Sequence, residues 1–415
     1  MPDRAKVLLR QEKANLNQKA LEGIRVLDLS QQISGPYCTK MLAAFGAEVI
    51  KVERPGQGDP AREVGPFLDD RPHPETSALF LYLNTGKKGI TLDIEQPAGA
   101  DLLKRLMLET DVLVENFRPG YLASLRFDYE NLQKINPGLV MVSITAFGQD
   151  GPYRDFKGGR LVGNALSGYM YINGDPDREP LAGGGEQPDY QGGLHAYTGV
   201  MAALISREMT GQGQYIDISI MECMTALHQF TVNRYVYSGR IQKRTGNRYL
   251  WSHPITIYPC LDGYVSISAS TDDQTEMLLS LMEMPHLLED PRFSTGFQRL
   301  ARAAEFDELV KPWFKTKTKK EIVALCQEWR VPAAPVNEIP DLLQEAQYQA
   351  RNYWVELDHP VAGRHLYPGP PFKMSETRLE YNRAPLLGEH NEEIYLQRLG
   401  LSPKEMEQLK PAGVL

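Results

Sequence analysis

The chain has 415 residues and a formal net charge of −8, with 42% hydrophobic and 24% charged residues. This length allows two domains, and the composition is typical of a globular protein and not of a disordered one. The acidic balance argues against sequence-independent nucleic-acid binding, because that activity requires a basic face. An anionic ligand would therefore need local positive groups to hold it.

The four cysteines are widely separated, which argues against a disulfide framework and against a Cys-x-x-Cys metal site. The eight histidines also lack the spacing of metal ligands. Residues 1–20 lack the apolar core of a signal peptide, and no run approaches the roughly 18 apolar residues of a membrane span. We therefore expect a cytoplasmic protein that has no metal and no nucleic-acid or membrane partner.

The first half of the chain alternates short apolar runs with segments of helical periodicity. This alternation predicts an α/β fold, with a Rossmann-like parallel sheet covered by helices on its faces. No G-x-G-x-x-G motif follows the first strand, so a standard dinucleotide site is not indicated. The predicted strands are 24–30, 48–53, 89–94, 111–114, 139–144 and 215–219, and the predicted helices include 37–44, 98–109, 129–135 and 190–208.

The sequence changes character after Ser238, where short strands and turns precede a mainly helical stretch. We predict a large domain in residues 1–224 and a smaller α+β domain in residues 225–330. The Pro-rich segment 331–415 is predicted to return to the large domain.

Asp189 is the main candidate for chemistry. It directly precedes the helix predicted at 190–208, and this position alone favours a helix cap. The preceding run Gly183–Gly185 lets a ligand approach the backbone closely and could present N–H groups to an oxyanion. The pattern by itself leaves both roles open. His195, on the same predicted helix, is interpreted as a core or interface histidine.

Several short segments occur in one order from residue 21 to about residue 400. They include 21–28, Gly35-Pro36, 46–53, DVLVENFRPG at 111–120, Gly148-x-x-Gly151-Pro152-Tyr153, ALSG at 165–168, TGQGQ at 210–214 and APLLGEH at 384–390. Each segment is weak evidence alone, but the ordered set resembles the class III CoA-transferase family.

The resemblance implies a CoA transferase whose nucleophile is Asp189 and whose substrates are an acyl-CoA, with succinyl-CoA as a default donor, and a small carboxylic acid. It also implies an interlocked homodimer. The CoA contacts that it implies are Gln32, Ile33, Arg54, Leu92, Asn116 and Phe117. Without the resemblance, Arg54 would be interpreted as a solvated charge, and Asn116 and Phe117 as a turn residue and a core aromatic.

Two departures from the family pattern affect the CoA contacts. Basic residues that are frequent in the family are replaced here by Glu95 and Ser124. Arg118 and Lys157 are therefore alternative phosphate contacts. The identities of the donor and acceptor acids stay open. The candidate pocket segments are Tyr169–Asn173 and Tyr235–Arg248, and their sequences do not distinguish a site for aliphatic acids from one for aromatic acids.

Two alternatives to a self-sufficient transferase remain. The family also contains α-methylacyl-CoA racemases, whose His–Asp pair aligns with Gly159 and Arg160 here. Loss of the imidazole removes one of the two bases needed to exchange the α-proton, which argues against a racemase. The other alternative is a subunit of a heteromeric CoA transferase.

Overall fold

The computed structural model describes residues 19–228, 230–377, 379 and 381–415. They form two compact units. The first contains the residues up to Ser167 together with Gly184–His228 and Gln349–Leu415, and the second contains Gly168–Gly183 and Gln229–Tyr348. The predicted smaller domain, 225–330, is shorter than the second unit, which runs to Tyr348 and includes the earlier segment Gly168–Gly183.

The strands are numbered in chain order. They are β1 (Arg25–Asp28), β2 (Glu48–Glu53), β3 (Lys88–Thr91), β4 (Val112–Glu115), β5 (Val140–Thr145), β6 (Tyr215–Ser219), β7 (Ile255–Cys260), β8 (Gly263–Ser268), β9 (Ala333–Pro335), β10 (Trp354–His359) and β11 (Gly363–Pro368).

The helices are numbered in the same way. They are α1 (Ser34–Ala44), α2 (Ala78–Leu83), α3 (Pro97–Met107), α4 (Tyr121–Ser124), α5 (Tyr129–Ile135), α6 (Arg160–Leu166), α7 (Tyr169–Ile172), α8 (Gln187–Thr210), α9 (Ile220–Thr225), α10 (Thr231–Ser238), α11 (Asp272–Leu281), α12 (Gly296–Ala301), α13 (Ala303–Lys315), α14 (Lys319–Glu328), α15 (Ile339–Gln344), α16 (Ala346–Ala350) and α17 (Pro403–Leu409). A π-helical segment, Glu392–Arg398, precedes α17.

The first unit is built on a six-stranded parallel sheet with the strand order β3-β2-β1-β4-β5-β6. This confirms the predicted parallel sheet. β2 and β6 have the predicted bounds, and the other strands differ by a few residues. The strand order reverses between β1 and β4, and ligands bind at the carboxyl ends of the strands beside such a reversal.

The two faces of this sheet pack against separate apolar clusters. Val26 of β1 belongs to the cluster that α1 and α8 cover, whereas Leu27 belongs to the cluster on the side of α3 and α5. Val112 and Leu113 of β4 divide between the faces in the same way. Because both faces are buried, the central strands β4 and β5 are nearly continuous apolar runs, and these runs made them predictable.

Two predicted helix starts are wrong. α1 begins at Ser34 and not at Tyr37, because Pro36 fits within a first turn, where its missing N–H is not needed. α8 begins at Gln187, with Glu186 at the N-cap position. Asp189 therefore lies within the first turn of α8, not directly before the helix.

The second unit contains the antiparallel sheet β7-β8-β9. Its apolar core includes Tyr258, Phe306 and Phe314, and the rings of Tyr258 and Phe314 stack at 4.3 Å. Among the described residues of the whole chain, no helix is long and apolar enough to cross a membrane.

Candidate active site

The loop that follows β1 has a fixed and unusual backbone. Gln32 has a φ of 60°, in the left-handed region that non-glycine residues seldom adopt. Its N–H donates to Asp59 Oδ1 at 2.9 Å. Asn116 holds the preceding residue from the other side, accepting from Gln31 N at 2.7 Å and donating to Gln31 O at 2.7 Å. A strained backbone persists only where its surroundings determine it so completely.

A buried network of charges supports this loop from below. Lys51 Nζ lies 2.8 Å from Asp59 Oδ2 and donates to Ser30 O at 2.7 Å. Lys87 Nζ lies 2.9 Å from Asp28 Oδ2. Burial alone would raise the pKa of Asp28, but the two lysines and the hydroxyl groups beside it lower that pKa to about 2. Asp28 therefore stays ionised.

Asn116 and Phe117 follow the end of β4, next to that loop. Glu115 Oε2 accepts the backbone N–H of Phe117 at 2.8 Å, and the Phe117 ring lies 4.7 Å from the Tyr121 ring. Burial raises the pKa of Glu115 to about 7. The carboxyl ends of β1 and β4 thus present Gln32, Asn116 and Phe117 at the point where the strand order reverses.

The first turn of α8 packs against the start of α1, on the other side of the crevice. A Cβ on Gly193 would lie 2.4 Å from Ser34 O, so only glycine permits this approach of the two helices. The Tyr190 ring meets the Tyr37 ring edge-on at 4.9 Å. These contacts bring Asp189, which precedes Tyr190, beside the loop after β1.

Asp189 lines a cavity of about 380 Å³ together with Gln32, Asn116 and Phe117. We call this the Asp189 cavity. Burial, followed by the nearby charge of Glu186, raises the pKa of Asp189 to about 6, although a backbone N–H partly opposes this shift. Among the described residues, the Asp189 carboxylate has no ion-pair partner. It is thus a desolvated acid facing a ligand-sized space.

Arg54 and Leu92 lie in a second, smaller space of about 90 Å³, which we call the Arg54 cleft. Phe117 lines both the Arg54 cleft and the Asp189 cavity. Glu95 also lines this cleft and accepts a hydrogen bond from Tyr121 at 2.9 Å. Ile33, by contrast, is buried at the start of α1 and is not among the residues that line these two spaces.

Sequence reasoning missed part of the Asp189 cavity. Arg118 and Lys157, the alternative phosphate contacts, both line it, and so does Arg154, which no motif indicated. The glycines in its lining are Gly158, Gly159 and Gly163 instead of the run Gly183–Gly185. The only signal for this wall was the pair of basic residues in a polar loop after a strand.

Backbone amides near Asp189 are candidate oxyanion donors. The amide of Tyr190 donates to Glu186 O at 3.2 Å within α8 and is therefore already used. Gly158 and Gly159 line the cavity, so their backbone amides are the candidates on its other wall.

The other candidates have structural partners. Arg160 Nε lies 3.5 Å from Glu186 Oε1, beside the N-terminus of α8. His195 Nδ1 lies 2.8 Å from Gln191 O, within α8. In the part of the chain that the structure describes, no group of three or more histidine, cysteine, aspartate or glutamate side chains could hold a metal ion.

The chain matches known proteins over nearly its whole length. A family model described as CoA-transferase family III matches residues 21–391. The succinyl-CoA–D-citramalate CoA-transferase of Chloroflexus aurantiacus is 36% identical over 399 residues, which cover 96% of this chain and 98% of the relative. The succinyl-CoA–L-malate CoA-transferase beta subunit of the same organism is 35% identical over 401 residues, covering 95% and 98%.

A solved structure agrees with these matches. The crystal structure of a CAIB/BAIF family protein from Brucella suis superposes with a TM-score of 0.84 at 34% identity, covering 92% of this chain and 100% of that one. The family match, the relatives and the fold together account for the ordered motifs. The chain belongs to CoA-transferase family III and is a CoA transferase.

Proposed function

We propose that this transferase moves CoA from a donor acyl-CoA to an acceptor carboxylic acid through a CoA thioester on Asp189. One observation carries the proposal: Asp189 shares its cavity with Gln32, Asn116 and Phe117. These residues come from separate strand ends and from α8. Their meeting at the reversal of strand order is what a ligand site in this kind of sheet requires.

The state of Asp189 suits a nucleophile. With a pKa of about 6, the carboxylate is ionised at neutral pH. It lacks the cation that would stabilise it as an ion pair, and burial reduces its hydration. A carboxylate is a weak nucleophile in water, so partial loss of its water shell favours attack on a carbonyl.

The first half-reaction has two steps. The Asp189 carboxylate attacks the thioester carbonyl of the donor, the C–S bond breaks, and a mixed anhydride and CoA thiolate form. The thiolate is a good leaving group because a thiol has a pKa of about 8.5. It then attacks the Asp189 carbonyl and expels the donor acid as a carboxylate. The enzyme is left as an aspartyl-CoA thioester.

The second half-reaction reverses these steps with the acceptor. The acceptor carboxylate attacks the aspartyl thioester and forms a new mixed anhydride, with CoA thiolate released again. The thiolate attacks the acceptor acyl carbonyl, which gives the new acyl-CoA and frees Asp189. One thioester replaces another, so the transfer needs no ATP. The oxyanions formed on the way would be stabilised by N–H donors, for which the backbone of Gly158 and Gly159 is our candidate.

CoA would lie along the strand ends from the Arg54 cleft to the Asp189 cavity. We assign the nucleotide end to Arg54 and Leu92, and the thioester end to Gln32 and Asn116. Ile33, which the resemblance also implied, is buried outside both spaces and is not assigned a contact. Phe117 supports this path because it belongs to the walls of both spaces. The long CoA arm would supply binding energy remote from the reacting bond.

The substrates we propose are dicarboxylic. The two relatives are named for succinyl-CoA as a substrate with D-citramalate or L-malate. We therefore propose succinyl-CoA as the donor and a short dicarboxylic acid as the acceptor.

Asp189→Asn tests the role of Asp189, because the side chain keeps its size and loses its charge. We expect CoA exchange between succinyl-CoA and L-malate to fall by about a thousandfold or more, as for other lost nucleophiles. The far-UV circular dichroism should be unchanged. Asp101→Asn, on the exposed outer face of α3, is the matched control and should keep full activity. Near-normal turnover of Asp189→Asn would overturn the assignment.

The same purified protein also tests whether the enzyme is a heteromer. The relative that is named as a beta subunit favours this alternative. The unmodified chain, purified alone, should be active, and light scattering should give the mass of the homodimer that the family resemblance implies. An inactive chain that gains activity with a second, different subunit would instead identify it as part of a heteromer.

A further inference from the structure

The wall of the Asp189 cavity carries more positive charge than a neutral ligand would need. Arg118, Arg154 and Lys157 line the cavity, and Asp155 is the acid among them. Arg154 Nε is 4.0 Å from Asp155 Oδ1, too far for a hydrogen bond. Among the described residues, the Arg118 and Lys157 side chains form no hydrogen bond or ion pair. The lining therefore carries three cations against the two carboxylates of Asp155 and Asp189.

The segment that carries Arg154 and Lys157 is packed in place. The rings of Tyr153 and Phe156 stack at 4.7 Å, and the buried Phe147 ring meets each of them edge-on at 6.0 Å and 6.5 Å. Phe147 follows β5 closely, so the sheet holds this segment. Arg154 and Lys157 lie on either side of Phe156, which is itself 59% exposed, and both cations are exposed. The ring contacts orient the backbone of this segment, while the two cations border both solvent and the cavity.

The Arg154 guanidinium lies over the turn that follows Arg118. A Cβ on Gly120 would be 3.2 Å from Arg154 Nη2. Arg118 and Arg154 thus both border the cavity beside this turn. Two cations that face the same space repel each other unless an anion lies between them.

Two anionic groups of an acyl-CoA could occupy this place: a phosphate of CoA or a free carboxylate on the acyl group. Arg54, our candidate for the nucleotide end, lies in the separate Arg54 cleft. The cations of the Asp189 cavity are therefore nearer to the end that reacts. A guanidinium also matches a carboxylate with two parallel hydrogen bonds.

We propose that Arg118 and Arg154 bind the second carboxylate of a dicarboxylic acyl group while its thioester faces Asp189. The inference rests on the proposed function, and it assigns selectivity for dicarboxylic over monocarboxylic acids to these two residues. Loss of one charged hydrogen-bond donor is expected to weaken such recognition by about 10- to 100-fold.

Arg118→Gln and Arg154→Gln test this inference, with Lys104→Gln on exposed α3 as the control for the loss of one charge. Formation of the enzyme-CoA thioester is followed in a single turnover by quenched mass spectrometry. Succinyl-CoA is compared with butyryl-CoA, which has a methyl group in place of the second carboxylate. The dissociation constant of free CoA is measured by calorimetry.

We expect either arginine variant to lose about 10- to 100-fold in kcat/KM for succinyl-CoA, with butyryl-CoA and free CoA changed less than about twofold. Equal losses with both acyl-CoAs and weaker binding of free CoA would overturn the inference and identify a phosphate site. No loss with succinyl-CoA would also overturn it. If the unmodified chain forms no adduct with either substrate, the proposed function fails as well.

Discussion

Asp28 and Asp189 are two aspartates at the same end of the sheet whose pKa values are shifted in opposite directions. Asp28 is fully buried, yet it accepts hydrogen bonds from Lys87 Nζ, Ser30 N and Thr39 Oγ1, and its pKa is lowered to about 2. Asp189 is half-buried with no cation beside it, and its pKa is raised to about 6.

This difference in partners and pKa distinguishes an aspartate that supports the structure, Asp28, from one suited to react, Asp189. The partners of Asp28 satisfy its charge, so it holds the loop after β1 and has no lone pair left for chemistry. Asp189 bears a charge that its surroundings do not compensate, which favours bond formation over structural support. The fixed loop gives the substrate a constant position against the reactive group.

The largest effect that we predict on stability follows from removing the charge of Asp28. Asp28→Asn would leave Lys87, which is fully buried, without its ion-pair partner. Breaking such a pair costs about 3–5 kcal/mol of unfolding free energy. Urea unfolding followed by circular dichroism measures this loss. Asp101→Asn, whose exposed carboxylate is 3.4 Å from Lys104, is the control and should cost less than about 1 kcal/mol.

A smaller effect of opposite sign is predicted for Asp189→Asn. The pKa of Asp189 is raised from 3.8 to about 6 on folding, so the native state binds this proton more tightly than the unfolded state. That contribution is present at low pH and is lost as the pH rises through about 6. At pH 7.5 the variant should therefore be more stable than the unmodified chain by about 1–3 kcal/mol.

The pH dependence gives this prediction its control. The gain should shrink as the pH falls, and it should vanish below about pH 3, where Asp189 is protonated in both states. A gain that does not change between pH 4 and pH 7.5 would show that altered packing, not the removed charge, is responsible.

The contrast between these aspartates also shows what could be predicted from the sequence. The central strands were predictable because both faces of the sheet are buried there and β4 and β5 are apolar runs. The ion pair between Asp28 and Lys87 could not be predicted, because the two residues are 59 positions apart and no local pattern connects them. Asp28 ends a strand motif whose only signal comes from its apolar residues.

Part of the candidate site could be predicted from the sequence. Resemblance to the CoA-transferase family contributed more to that prediction than the local sequence pattern did. Position alone left Asp189 as a possible helix cap. The start of α8 was misplaced because Pro188 was interpreted as part of the Gly- and Pro-rich loop, although proline fits a first helical turn. The ordered motifs led to Gln32, Asn116 and Phe117, which do line one cavity with Asp189. Arg154 had no such guide, because a basic residue in a polar loop is usually just solvated.

The central claim is that Asp189 forms a covalent bond to CoA. The chain is mixed with succinyl-CoA without acceptor, quenched in acid, digested and measured by mass spectrometry. We predict that the peptide containing Asp189 gains the mass of CoA minus one water, and that the gain disappears when an acceptor acid is added before the quench. No modified peptide in the active enzyme, or a CoA adduct on another residue, would contradict the account.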